Sequence, residues 1–117
     1  MSYMLLIVED AQARRSRPAE LANQRMDRMV AFGDGLKARG VLKAAESLAS
    51  DANATRVSVT NGRRLVLDGP FTEAREIVGG FFLLDVATRE EALAIAKECP
   101  ATEWATIEVR QLGPCGA

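Results

Sequence analysis

Two stretches of this chain are apolar on both of their alternating faces, and they leave few folds open. Residues 3–8 read Tyr-Met-Leu-Leu-Ile-Val and residues 77–84 read Ile-Val-Gly-Gly-Phe-Phe-Leu-Leu. A strand sends successive side chains to opposite sides, so a strand with no polar alternation has both sides covered. The pattern predicts two central strands of one sheet. A chain of 117 residues can bury one core without metal or disulfide staples, and a single domain over residues 1–117 is expected.

Around these strands the other elements follow from periodicity and caps. Glu9 to Ser16 reads as a polar connection, and the basic run Arg14, Arg15 and Arg17 reads as a solvated loop in preference to an anion site. Pro18 and Glu20 suit a first helical turn. Ala22, Met26, Met29, Phe32, Gly33 and Leu36 then form a 3.6-period stripe, expected to be core, ending near Arg39 with Gly40 as a left-handed cap. Gly33 on that stripe predicts close approach to the sheet; nothing in the pattern accounts for Gly35. Residues 41–50 lack periodicity and read as loop with a little strand, and residues 50–54 as turn.

Residues 55–60 and 63–67 flank Asn61-Gly62, the strongest short-range hairpin signal. Asp68-Gly69-Pro70-Phe71 closes the second hairpin strand with a turn. Thr88-Arg89-Glu90-Glu91 is a capping box opening a helix that presents Ala92, Ile95, Ala96 and Cys99 to the core and stops at Pro100. Residues 104–110 alternate, with Ala105, Ile107 and Val109 expected inward and Trp104, Thr106, Glu108 and Arg110 on the opposite face. Residues 113–117 read as a frayed tail.

Strand, helix, hairpin, strand, helix, strand is the order of an α+β, ferredoxin-like βαββαβ sandwich with an antiparallel sheet. Its helices cover one sheet face only. The two greasy central strands therefore call for a second layer, and a second copy of the chain packed sheet to sheet supplies it, so a homodimer is expected.

Composition removes several function classes. A net charge of −1 and six scattered aromatic residues give no nucleic-acid footprint. With no histidine, His-based catalysis and most zinc or iron sites are gone. Cys99 and Cys115 share no CxxC spacing and read as reduced thiols in a cytoplasm, Cys99 as a buried one. No run approaches a membrane span, residues 1–8 are too short for a signal segment, and no phosphate loop, dinucleotide fingerprint or metal cluster occurs. Cytoplasmic location and no cofactor are expected.

Charged groups gather where the 68–76 turn enters the apolar strand, the usual way a scaffold presents a site on a loop. Asp68 is either a proton-transfer group or, the ordinary use of Asp in a turn, a cap on backbone N–H groups. Glu73 and Glu76, flanking Arg75, are either a carboxylate pair or surface ion pairs. Gly79 and Gly80 inside a strand suggest a bulge or close backbone approach. Phe71 reads as an anchor for the turn, and Arg110, beside Glu108, as an anion holder or an interface salt bridge.

Tyr3-Met4-Leu5-Leu6-Ile7, Asp68-Gly69-Pro70-Phe71 with Glu73, Arg75 and Glu76, Gly79-Gly80-Phe81, and Ile107-Glu108-Val109-Arg110 together resemble the YCII-related proteins, in their DGPF-type branch. The resemblance runs essentially the whole length. It implies a dimeric α+β barrel. For some members it implies a His–Asp enzyme, which a chain without histidine does not inherit, and for others an association with extracytoplasmic-function sigma factors. The joint expectation is a pocket near the Asp68–Glu76 loop for a small polar or anionic molecule. Asp68, Glu73 and Glu76 are its catalytic candidates, and Gly69, Pro70, Phe71, Arg75, Gly79, Gly80, Trp104 and Arg110 its ligand contacts. A non-catalytic regulatory module is the alternative.

Overall fold

The structure, a computed structural model, describes residues 2–116 of the chain. Its elements are β1 (Ser2–Asp10), α1 (Ala11–Arg15), α2 (Ala19–Ala38), β2 (Leu42–Ser47), β3 (Thr55–Thr60), β4 (Arg63–Asp68), β5 (Glu76–Asp85), α3 (Arg89–Glu98) and β6 (Thr106–Gln111). Four strands form one antiparallel sheet in the order β2-β5-β1-β6. The two doubly apolar segments are its central strands, as the patterning predicts. With α2 and α3 between the strands, this is the ferredoxin-like α+β arrangement.

The core lies between one sheet face and the helices. Tyr3, Leu5, Ile7, Phe82 and Leu84 from the central strands meet Leu36 of α2 and Ala92, Ile95, Ala96 and Cys99 of α3. The caps form where the sequence marks them. Gly40 takes φ +74°, a left-handed conformation that a β-carbon disfavours. Thr88 Oγ1 accepts from the Glu91 N–H at 3.2 Å, closing the start of α3. Burial pushes the Cys99 thiol pKa up.

On the other face, Met4, Leu6 and Val8 of β1 stand beside Phe81 and Leu83 of β5. None of these five belongs to the buried core. Glu108 and Arg110 pair with Leu6 and Met4 across β6, and Glu46 pairs with Phe81 across β2, so polar side chains edge an apolar centre. The molecule is only 18 Å thick, one sheet and one helical layer.

Four features differ from the sequence-based expectations. Residues 42–47, read as loop with a little strand, are an edge strand throughout; its polar alternation is weak because Leu42 and Ala45 alone face the helices. Residues 11–15, read as loop, form a short helix that Asp10 caps by accepting from the Ala13 N–H at 2.7 Å. The last strand begins at Thr106; Trp104 closes a 3-10 turn (Pro100–Glu103) and packs on the helix-side core, not beside Arg110. Finally, among the described residues β3 and β4 pair only with each other, and all of their residues are exposed. Asn61 (φ 52°) and Gly62 (φ 76°) make the expected tight turn, but the hairpin projects from the sandwich. That projection helps lift the radius of gyration to 15.9 Å, above the roughly 13 Å of a compact chain this long. Of the expected frayed tail, residues 113–116 are exposed coil and turn, and Ala117 lies outside the described residues.

Candidate functional site

Helix α2 carries a stripe read from sequence as core, yet only Leu36 is fully buried along it. Met26 remains 46% exposed and Val30 49%. Between the helix, from Ala22 to Lys37, and the sheet lies a cavity of about 600 Å³ over β5 and the β2 edge. Met26, Met29, Phe82 and Trp104 give it apolar walls, and Gly79 and Gly80 form part of its floor. Phe82 is held edge-on to Phe32, with ring centroids 5.3 Å apart. The helix packs close to the sheet at Gly33, where a β-carbon would make ordinary contact with the Phe82 ring at 3.4 Å.

One end of the cavity is ionic. The inward alternation of Tyr3, Leu5 and Ile7 carries on to Glu9, which is 4% exposed. A carboxylate placed there needs cations, and two of the three arginines after it turn back to supply them. Arg14 Nη1 donates to Glu9 Oε2 at 2.7 Å and Arg17 Nη2 to Oε1 at 2.6 Å. Arg14 also donates through Nη2 to the Leu48 carbonyl. Gly79 is the extra residue of a β-bulge opposite Ile7 and Val8. A β-carbon on it would lie 2.1 Å from Glu9 Oε2 and 2.6 Å from Arg14 Nη1, so its missing side chain is what admits the ion cluster. The basic run read as solvated is thus folded inward.

The third arginine serves the Asp68–Phe71 turn. Arg15 binds the 92%-buried Asp51, with Nη2 to Oδ2 at 2.6 Å, and also donates to the Phe71 carbonyl at 3.2 Å. The Arg15 hydrogen bond holds the Asp51 carboxyl pKa below the usual carboxylate range, and the Asp51 partner raises that of Arg15. The Gly69 N–H donates to the Ala54 carbonyl at 2.7 Å, and a β-carbon on Gly69 would lie 2.0 Å from the Asp51 carbonyl oxygen. Gly69-Pro70 is cis. Phe71 is buried beneath the Arg56 guanidinium, 3.8 Å from its ring centroid. Asp68 accepts from Thr55 Oγ1 at 2.9 Å, fastening the base of the hairpin. The tetrapeptide clasps the hairpin and the 51–54 loop to the body.

Sequence reasoning and geometry therefore meet at only part of the site. Gly79, Gly80 and Trp104 line the cavity. Asp68, Gly69, Pro70, Phe71, Glu73, Arg75 and Glu76 do not: Glu73 is an exposed partner of Arg56 at 3.5 Å, Glu76 begins β5, and the Arg75 carbonyl accepts from the Ala11 N–H. Arg110 pairs with Glu108 at 3.1 Å on the open sheet face, far around the sheet from the cavity lining. The charged cavity residues missed are Glu9, Arg14, Arg17, Arg25, Asp34 and Lys37. A signal for the first three existed, an acidic residue on an inward period-2 position followed by a basic run. Among the described residues no cluster of three His, Cys, Asp or Glu is placed to hold a metal ion, and no helix is long and apolar enough to cross a membrane.

The family model for the YCII-related domain matches residues 1–115, and the chain belongs to that family. It is 42% identical to the uncharacterized protein R00369 of Rhizobium meliloti (strain 1021) over 53 residues. That match spans 44% of this chain and 43% of the relative, so less than half of the relative's length is covered. Among solved structures it is similar to 5-chloro-2-hydroxyhydroquinone dehydrochlorinase (TftG) from Burkholderia phenoliruptrix AC1100, in complex with 2,5-dihydroxybenzoquinone. The TM-score is 0.52 at 14% identity, covering 97% of this chain and 94% of that one, a likeness of fold.

Proposed function

We propose that this YCII-related domain binds a small polar or anionic molecule in the cavity between α2 and the sheet, not beside the Asp68–Glu76 turn. One observation carries the reading: apolar walls and two arginines converge on one concave space of about 600 Å³. That volume sits within the range of roughly 300–1,000 Å³ usual for small-ligand sites. The turn residues, by contrast, are engaged in holding loops together. The flat, oxygen-rich ring bound by the dehydrochlorinase supports the choice of a compact ligand class for testing. Acid–base chemistry in this cavity falls to Asp34, since both Glu9 oxygens are bonded to arginines, Glu46 turns its side chain to the opposite sheet face and the chain has no histidine.

The working unit in this reading is a homodimer. The apolar centre of the open sheet face, edged by Glu46, Glu108 and Arg110, supports it, because an apolar core with a polar rim is the anatomy of an interface. The exposed hairpin favours a second reading, an interaction module for a regulatory protein of the kind a sigma-factor pathway would supply. Val57 and Val66, cross-strand partners on it, are 59% and 66% exposed. Crystals soaked with 2,5-dihydroxybenzoquinone and a set of small organic acids test the first reading. Density between α2 and β5 is expected; density confined to the 68–76 turn, or none, contradicts it.

A further inference from the structure

Resting on that cavity reading, we propose that Glu9, Arg14 and Arg17 form an anion subsite. It takes the carboxylate of a small organic acid whose apolar body lies against Met26, Met29 and Phe82. Arg17 is the group that binds, and Glu9 is a positioning residue.

The charge count motivates this. Both Glu9 oxygens are taken, one by each arginine, so one negative charge answers two positive ones. The side chains of Arg17 and Arg14 are only 13% and 19% exposed, where water screens the excess poorly. Arg25, stacked 4.8 Å over the Trp104 ring, and the exposed Lys37 and Asp34 also line the cavity and add one further positive charge, whereas the Glu46 side chain stands with Phe81 on the opposite sheet face. The surplus of one positive charge stays at the Glu9 end.

The hydrogen-bond count sets Arg17 apart from a finished structural pair. A guanidinium offers five N–H donors in a planar fork that matches a carboxylate. The Arg17 Nε–H is out of water and has no acceptor, while buried polar groups ordinarily have one. The neighbouring Arg15 shows what a finished structural pair looks like: one carboxylate, one guanidinium, and the spare donor placed on the Phe71 carbonyl. A monoanion on the exposed edge of the Arg17 guanidinium would complete the charge count. A phosphate at about −1.5 to −2 would overshoot the single surplus charge next to Glu9. The apolar walls favour an acid with a hydrocarbon body over a bare ion.

Calorimetric titration of the full chain with benzoate, benzamide and inorganic phosphate tests the proposal. Benzoate is expected to bind roughly tenfold or more tighter than its neutral isostere benzamide. Arg17→Gln should erase that preference and leave benzamide unchanged. Glu9→Gln removes the competing negative charge and should tighten benzoate, which a merely structural cluster would not do. Where Arg17→Gln does not fold, wild-type salt dependence decides: rising ionic strength should weaken benzoate and spare benzamide. Equal binding of benzoate and benzamide overturns the anion subsite and leaves the cavity reading standing. Phosphate binding as tightly as benzoate overturns the organic-acid assignment. No binding of either organic probe overturns this proposal together with the cavity reading.

Discussion

A β-carbon on Gly79 would stand 2.1 Å from Oε2 of Glu9, so the bulge on β5 and the buried carboxylate on β1 occupy each other's space. Gly79→Ala must therefore displace the Glu9 carboxylate and the Arg14 guanidinium from their ion pair. Overpacking of this kind costs about 1–3 kcal/mol. Urea denaturation is expected to report that loss, with the fold retained. A variant as stable as the wild type would show that the ion cluster is not seated on the glycine.

The Asp68–Phe71 turn should behave as a clasp. Gly69→Ala drives a β-carbon to 2.0 Å from the Asp51 carbonyl oxygen, a backbone atom that cannot swing aside. It is expected to cost about 2–4 kcal/mol, in the tail of single-mutation effects. Asp68→Ala removes one exposed hydrogen bond to Thr55 and should cost under ~1 kcal/mol. Thermal melts of the two variants order them. Cavity binding should survive Asp68→Ala; its loss would return Asp68 to the site.

Acid should release the same clasp. Arg15 holds the folded-state Asp51 pKa down, so the pair contributes fully above the unfolded value of about 3.9. Its contribution is lost as pH falls below that, through the lower folded-state value. Asp51→Asn should be less stable near neutrality and should lose less stability over that acid range. Melting temperatures of both proteins between about pH 6 and pH 2.5 check this; parallel curves would contradict it. Arg28–Glu103, with both side chains about half exposed, adds little to the slope.

The open sheet face predicts self-association. Leu6 lies at its centre, between Phe81 and Glu108. Sedimentation equilibrium should find a dimer of the wild type. Leu6→Asp should weaken association by roughly tenfold or more, with unchanged far-ultraviolet circular dichroism. A wild-type monomer at high micromolar concentration would contradict the sheet-to-sheet assembly.

The frame of the fold was legible because its signals are local or periodic. Asn61-Gly62 makes its turn, Thr88 caps its helix, Gly40 ends another, and the two doubly apolar strands are central. β2 reads as no more than a little strand because an edge strand with two half-buried apolar residues has no period to read. The hairpin's place outside the sheet depends on pairing choices far apart in sequence, which local turn chemistry does not encode. At the site, Gly79 and Gly80 announced a close approach, and the structure shows to what. The basic run reads as solvated because most charge runs are, and what folds it inward is Glu9, buried at the position that continues the inward alternation of Tyr3, Leu5 and Ile7. A stripe such as Met26–Met29 reads the same whether it packs on a sheet or walls a gap, since periodicity reports a face and not what lies opposite.

The central claim, that α2 roofs a ligand site, is tested most directly by the methionine methyl groups. Met26 and Met29 line the cavity, while Met4 sits on the opposite sheet face. In a protein labelled with ¹³C-methyl methionine and titrated with benzoate, the Met26 and Met29 signals should shift together and saturate, and Met4 should stay in place. Shifts confined to Met4, or none at saturating benzoate, would contradict the account.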